Sequence, residues 1–430
     1  MTERTPLEEI EHIVQDRARD LALDTDREPE ALRALVDDSV RQWSVDHKRG
    51  LREFDLPDPD AMAERAVRNL TGYGPLAPLL ADDDVWEIMI NTPSEIFVKR
   101  HRGPSGYHHE VFHDDAHVLR TLTKILADAS TAHRKLDPTE GLQDAQLDDG
   151  SRLHIVHGDI GFGGHVMVNI RRFTNVAFHD LDQLVDRGML THAAARFLVA
   201  CVRARTSIVF AGAPGSGKTT MLSCCCAELD PSLRVVVAEE VFEADIPVAN
   251  VAKMQTRPAR ADRPAVDLRR LVAGFLRMAP DIAIVGEVRD REALPLLLTL
   301  SSGVKGFTTI HAGSARQALT RLRFICQLAD NDLPMSALNT LVSEAVDVVV
   351  HCARTADGPR ITEIVAVEEL AAGVDATQFT TTPVFHRPDP TGPLVWSGQV
   401  PTRVASSFAR SGIDLHELVE EWTESMASHR

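Results

Sequence analysis

The sequence predicts an α/β protein whose mostly parallel sheet follows an α+β domain and a helical N-terminal extension. Three observations carry that prediction. From about residue 181 to 370, short apolar runs alternate with helical stretches, as in a parallel sheet covered on both faces. Within that region a G-x-x-x-x-G-K-T run stands between one such strand and a helix. Before it, from about 61 to 180, strand-like pieces carry hairpin signals at Asp149-Gly150 and Gly163-Gly164.

Taken in order, residues 1–60 are acidic and helical. Leu7, Ile10, Ile13 and Val14 recur at helical spacing, as do Ala31, Leu32, Leu35, Val36 and Val40. This extension reads as a docking or lid element. In 61–180, a helix with Ala63, Ala66, Val67 and Leu70 precedes the turn-rich GYGPLAPLL. Strands are expected at Val85–Asn91, Ile96–Lys99, Ser151–Val156 and His165–Ile170, with a helix near Val118–Ala129 between them. The 181–370 domain places strands at Ser207–Ala211, Arg234–Ala238, Ile282–Val285, Phe307–Ile310 and Val346–His351. Residues 371–430 form a weakly periodic tail with a final helix near Leu415–Ser425.

Composition narrows the function. At 44% hydrophobic and 25% charged, the 430 residues have the balance of a globular protein. A net charge of −17 argues against broad electrostatic binding to nucleic acid or an anionic membrane. No apolar run approaches the ~20 residues of a bilayer-spanning helix. The N-terminus has no basic stretch followed by an apolar one, so nothing suggests export. Cys224, Cys225 and Cys226 are contiguous and Cys201, Cys326 and Cys352 scattered, with no zinc spacing; they read as reduced core thiols.

The phosphate-binding signal is Gly212-Ala213-Pro214-Gly215-Ser216-Gly217-Lys218-Thr219. Its glycines let several backbone N–H groups converge on an anion, and the helix that follows adds partial positive charge. Lys218, an exposed ligand in this reading, would neutralise the β/γ-phosphates, and the Thr219 hydroxyl would complete a Mg²⁺ shell. Thr220 follows on the same helical turn. Three acids, Glu239, Glu240 and Glu243, come just after a strand. Alone they would be a solvated loop, but beside a phosphate loop one of them can hold Mg²⁺ or orient the attacking water.

The strand Ile282–Val285 runs into Gly286 and Glu287. A glycine occupies the usual metal-binding aspartate position of a Walker B strand, leaving Glu287 to polarise water. His311 ends the strand Phe307–Ile310. By itself such a histidine is more often a structural hydrogen bonder, but here it falls near a γ-phosphate. Arg257, Arg260, Arg263, Arg269, Arg270 and Arg277 crowd one stretch, either as a solvated face or to reach a phosphate across a subunit boundary.

With these residues in place, the chain resembles the type II/type IV secretion ATPase superfamily, and within it the CpaF-like ATPases of Flp/Tad pilus assembly. The resemblance covers about residues 61–370 through GYGPLAPLL, VWEIMIN, DGSRLHIV, NIRRF, the phosphate loop, Thr256–Pro258, LRMAPDIAIVGEVR and TTIHA. It implies a homo-hexameric RecA-like ATPase, bound to ATP and Mg²⁺. Such an ATPase works at the cytoplasmic face of the inner membrane on a polytopic platform protein of a pilus or secretion machine, and attaches through protein partners. It carries over Lys218 and Thr219, the acids Glu239, Glu240 and Glu243, Glu287, and His311. Arg171, Arg172, Arg257, Arg269 and Arg277 become candidate phosphate contacts, and Thr219 with Glu240 the candidate metal ligands.

The chain departs from the family pattern in several places. Glu240 stands for an aspartate, Ala261-Asp262-Arg263-Pro264 for a glycine-rich stretch, and Ala273 for a helix arginine. Gly303-Val304-Lys305-Gly306 stands for Gly-His-Asp-Gly, and Gly313 for an asparagine. Two rivals to an ATP-driven secretion or pilus motor are a nucleic-acid translocase on the same core and an ATP-binding scaffold with little turnover. The acidity and the 5% aromatic content count against the first.

Overall fold

The computed structural model describes residues 5–423 apart from 24–26, 101–102, 130–135, 138, 140, 173–177, 258, 260–262, 330–332, 356, 370–377, 390–391, 415–416 and 421. The chain divides into two compact units, Met1–Val176 and Ala177–Arg430.

The first unit opens with three helices, α1 (Pro6–Asp20), α2 (Pro29–Lys48) and α3 (Pro59–Thr71). At the start of α1 the Thr5 hydroxyl accepts from the Glu8 N–H, and the Glu8 carboxylate accepts from the Thr5 N–H. Leu7, Ile10, Val14, Leu32, Val36 and Trp43 bury together with Ala63 and Ala66 of α3, so this helical layer has its own core and continues past residue 60. Then follow α4 (Leu76–Ala81), β1 (Val85–Thr92), β2 (Glu95–Arg100), β3 (Gly106–Tyr107), α5 (Asp115–Asp128), β4 (Leu142–Gln146), β5 (Arg152–Val156) and β6 (Met167–Arg171). The strands form an antiparallel sheet in the order β3-β2-β1-β6-β5-β4. Ile88, Ile90, Leu153, Ile155, Val168 and Ile170 alternate inward against Val118, Leu122 and Ile125 of α5. Sequence periodicity misses β4 because LQDAQ buries only Gln143, and β3 because it is two residues long.

A polar seam ties the helical layer to this sheet domain. Arg68 donates to both oxygens of Glu110 at 2.7 and 2.9 Å, and His113 Nε2 lies 2.9 Å from Glu11. The His113 ring stacks on His117 at 4.9 Å. Burial, with help from the charges of His113 and Arg120, pushes the His117 imidazole down to about 3. An unfolded histidine protonates below its ordinary 6.5, so His117 destabilises the fold as pH falls from there toward 3, by up to about 1.4 kcal/mol per pH unit. Proton NMR should find the His117 ring signals unmoved between pH 7 and 4; a titration centred near 6.5 would contradict this burial.

In the second unit, α6 (Leu181–Asp186) and α7 (His192–Arg203) precede β7 (Ile208–Gly212), α8 (Lys218–Cys226), β8 (Val235–Glu239) and β9 (Val251–Gln255). Next come α9 (Leu268–Val272), β10 (Ile282–Val288), α10 (Ala293–Ser301), β11 (Lys305–Ile310), α11 (Ala315–Leu328) and α12 (Met335–Ala345). The unit closes with β12 (Val348–Thr355), β13 (Gly358–Val367), β14 (Thr381–His386), β15 (Val395–Trp396) and α13 (Thr402–Arg410). Six strands run parallel in the order β12-β7-β11-β10-β8-β9, and β13, β14 and β15 extend the sheet antiparallel beyond β12.

The apolar runs are uninterrupted because both faces are buried. Ile208, Phe210, Val235, Val237, Ile282 and Ile284 belong to one core, whereas Val209, Ala211, Val236, Ala238, Ala283 and Val285 belong to the other. The α/β expectation is met. All six cysteines are buried and unpaired; Cys224, Cys225 and Cys226 lie in one core, and burial pushes the Cys224 thiol up to about 12. The tail is more ordered than its weak periodicity predicts. Val404, Phe408, Leu418 and Trp422 join the first core, and Trp422 packs edge-on to Phe197 and Phe385 at 5.7 and 5.4 Å. Of the expected final helix, residues 417–420 and 422–423 are helical, while Leu415 and Ser425 lie outside the described residues.

Candidate nucleotide site

The phosphate loop leaves the end of β7 and enters α8, as the motif requires. Gly217 caps α8 at φ 88°, a left-handed conformation that costs a side-chain-bearing residue. Ala213, Pro214 and Gly215 are exposed, Ser216 is buried, and Thr219 and Thr220 are half-buried. Lys218 corrects one expectation. It is 7% exposed rather than open to solvent, because its ammonium turns back to donate to the Ala213 carbonyl at 2.9 Å.

From Lys218 a chain of polar contacts crosses the strand ends. Lys218 Nζ is 3.4 Å from His311 Nδ1, and His311 Nε2 is 2.7 Å from Glu287 Oε1. The other oxygen of Glu287 accepts from Arg289 Nη2 at 2.6 Å, and Arg289 Nη1 donates to Glu240 at 3.1 Å. The order β7-β11-β10-β8 sets this sequence: Lys218 follows β7, His311 follows β11, Glu287 is on β10 and Glu240 follows β8. Carboxyl ends of parallel strands are where such sheets bind ligands.

The electrostatics follow from these neighbours. Burial pushes the His311 ring down; Glu287 opposes that and Lys218 adds to it, leaving the ring below its ordinary value. His311 Nδ1 also lies 3.2 Å from the Gly212 carbonyl, which accepts from it when that nitrogen carries the hydrogen. Burial pushes the Glu287 carboxyl up, but the Arg289 hydrogen bond and the charges of Arg289, His311 and Lys218 outweigh it. Glu287 is therefore held below the usual carboxylate range and stays ionised at neutral pH.

The three acids after β8 divide by environment. Glu239 is 2% exposed and accepts from the N–H groups of Glu243 and Ala244, at 3.1 and 3.0 Å. Burial, partly opposed by those two hydrogen bonds, raises its carboxyl, and its second oxygen is buried without a hydrogen-bond partner. Glu240 is exposed and Glu243 half-buried. Gly286 is explained by Glu239: a Cβ there would meet Glu239 Cγ at 2.8 Å. The Glu239 side chain thus fills the space that a side chain on β10 would occupy. Lys305, one of the departures, pairs with the buried Asp347 at 2.8 Å, and Asp347 also accepts from the Ser207 N–H just before β7.

The arginines disperse. Arg257 bridges to Val266 and donates to the Pro264 carbonyl at 3.2 Å. Arg269, Arg270 and Arg277 are exposed on and after α9; Arg277 donates to Ala273 at 3.2 Å. Arg263 is exposed, and Arg260 lies outside the described residues. In the first unit, the Arg171 side chain is 46% exposed, 3.7 Å from Glu87. Arg172 is 7% exposed and donates to the carbonyls of Leu79, Asp82 and Val85. Its guanidinium is committed to the end of α4, which leaves Arg171 the more open of the pair.

Two site residues escaped sequence reasoning. Arg289 was visible as part of VGEVR, two positions after Glu287, but nothing local signals that it reaches Glu240. Arg354 on β12 donates to the Gly215 carbonyl at 3.3 Å. That contact depends on the pairing of Cys352 with Gly212, which no nearby sequence announces.

A phosphate loop on a parallel sheet, with an acid and a histidine at neighbouring strand ends, defines a P-loop ATPase. The family described as type II/IV secretion system protein matches residues 69–379, and the chain belongs to that family, the ATPases of secretion and pilus systems. A putative conjugal transfer protein of Mycobacterium tuberculosis is 31% identical over 328 residues, covering 74% of this chain and 91% of that protein. The type IV secretion system protein PtlH of Bordetella pertussis is 31% identical over 306 residues, covering 65% and 89%. Among solved structures, the VirB11 ATPase of the Brucella suis type IV secretion system, crystallised with sulphate, aligns at 26% identity and a TM-score of 0.36. That alignment covers 67% of this chain and 94% of that one. Among the described residues no helix is long and apolar enough to cross a membrane.

Proposed function

We propose that this chain hydrolyses Mg²⁺-ATP as a homo-hexamer and converts the cycle into mechanical work. The machine it drives is one for Flp/Tad-type pilus assembly or type II/IV protein secretion. The contact chain Lys218–His311–Glu287–Arg289–Glu240 carries this reading, because it joins a phosphate-binding cation to a water-activating carboxylate across three strands and continues to a fourth. Lys218 leaves the Ala213 carbonyl to neutralise phosphate oxygens. Glu287, ionised at neutral pH, accepts the proton of the attacking water. His311 sits between them and feels whether Lys218 has a phosphate partner.

The donor set suits Mg²⁺, which takes hard oxygens from one or two carboxylates, waters and phosphates. Thr219 and Glu240 are the proposed ligands, and the unpartnered buried oxygen of Glu239 is a third candidate from the same loop. Bound there, Mg²⁺ would supply charge neutralisation at the β/γ-phosphates. The conjugal transfer and type IV secretion relatives support the secretion half of the reading, and the CpaF-like motifs support the pilus half. A peripheral position at the inner face of the cell membrane, through a polytopic platform protein and without nucleic acid, completes it. Phosphate release measured with and without single- and double-stranded DNA tests the motor; strong stimulation by DNA would favour a translocase instead.

Shared active sites are part of this proposal. The γ-phosphate in the transition state carries more negative charge than Lys218 alone can neutralise. Arg257, Arg269, Arg277 and Arg171 are the candidates to reach it from a neighbouring subunit. Inactive Arg257→Ala chains mixed equally with inactive Lys218→Ala chains should recover about a quarter of wild-type phosphate release, the share of boundaries that pair one intact loop with one intact arginine. Mixed rings that stay dead would assign Arg257 to its own subunit.

A further inference from the structure

We propose that Arg289 is a positioning residue that spans the metal-side and water-side carboxylates and occupies the cation's electrostatic place until Mg²⁺-nucleotide arrives. The inference deepens the hydrolysis reading and rests on it.

The geometry starts from two acids on separate strands. Glu287 lies on β10, and Glu240 follows the end of β8. Like charges brought this close repel, so an unfilled site tends to splay them. Arg289 bridges them with its two terminal nitrogens, Nη2 to Glu287 at 2.6 Å and Nη1 to Glu240 at 3.1 Å. A planar guanidinium can hold two carboxylates at a set spacing, whereas an ammonium offers one point of charge.

The root of the side chain is fixed. The backbone N–H groups of Arg289 and Asp290 both donate to one oxygen of Glu292, at 2.5 and 2.8 Å, and Glu292 is 5% exposed. The head is not buried: the Arg289 side chain is 44% exposed and Glu240 47% exposed. A fixed root with an open head allows the guanidinium to swing off Glu240 while it keeps Glu287, which is 21% exposed.

Two separable jobs follow. As a charge, Arg289 competes with a divalent cation for Glu240. As a fork, it keeps the Glu287 carboxylate aimed between itself and His311. The competition should matter most without nucleotide, when no phosphate oxygens help to hold the cation.

The test uses Mn²⁺ as the probe, added to the full-length protein without nucleotide and followed by loss of the free-ion electron paramagnetic resonance signal, alongside ATP hydrolysis in Mg²⁺. Arg289→Gln should bind Mn²⁺ about fivefold more tightly than wild type, the scale of losing one or two exposed ion pairs. Its kcat should fall at least about tenfold, while KM for ATP stays within about twofold because the phosphate loop is untouched. Arg289→Lys should restore wild-type Mn²⁺ affinity through its charge yet keep the low kcat for want of the fork. Equal or weaker Mn²⁺ binding by Arg289→Gln, or no measurable binding by either protein, overturns the competition. A wild-type kcat in Arg289→Lys overturns the positioning role. Should wild type fail to hydrolyse ATP at all, the hydrolysis reading falls, and the nucleotide-free Mn²⁺ comparison still decides the competition on its own.

Discussion

Lys218→Ala is expected to abolish ATP turnover while the chain keeps its fold, a loss of at least about 10²–10³-fold of the kind seen when a charge-stabilising donor is removed. The lysine makes two contacts that matter here, to the Ala213 carbonyl and to His311. Both belong to the site and neither joins the two cores of the sheet. Its aliphatic stem is buried beside the loop, so a small stability loss is also expected, within about 1–2 kcal/mol. Circular dichroism and phosphate release separate the two effects. Hydrolysis equal to wild type would remove the phosphate-loop assignment altogether.

Glu287→Gln should bind ATP and hold it unhydrolysed, with turnover lowered by about 10²–10⁴-fold. The amide keeps the volume and can still meet Arg289, but it cannot take a proton from water. It also removes a charge that pairs with Arg289, so Glu240 is left as the charged partner in that bridge. A filter-binding assay should therefore recover intact ATP from the variant and mainly ADP from wild type. If this variant turns over normally and Glu240→Gln is dead, the base lies among the acids after β8 instead.

How much of this was legible in the sequence follows from where the controlling contacts lie along the chain. The phosphate loop is contiguous, and its glycines, lysine and threonines encode their own geometry; nothing distant was needed to read Gly212–Thr219. Glu287 and His311 were legible as polar residues ending apolar strands. Their approach to 2.7 Å was not, because it depends on β10 and β11 lying side by side. Strand β9 was missed for a local reason: VAKMQ is only partly buried at the sheet edge and carries a lysine in its centre. The packing of the C-terminal tail is not legible in its weak periodicity, because Trp422 gains its burial from Phe197 and Phe385, far away in sequence. Arg172 read as a phosphate ligand from its motif, yet carbonyls some 90 residues earlier hold it. In each case the residue type was visible and its partner was not.

The central claim is that the site hydrolyses ATP and does not merely hold it, and the departures around Arg263-Pro264, Ala273 and Gly313 make that the point to test. The direct measurement is phosphate release from purified full-length protein given ATP, with Mg²⁺ and then with Mg²⁺ removed by chelation. The account predicts sustained release, well beyond one phosphate per chain, that stops on chelation and resumes when Mg²⁺ is restored. ATP that binds but leaves intact, with Mg²⁺ present and rings assembled, would contradict it and leave a scaffold built on a motor's fold.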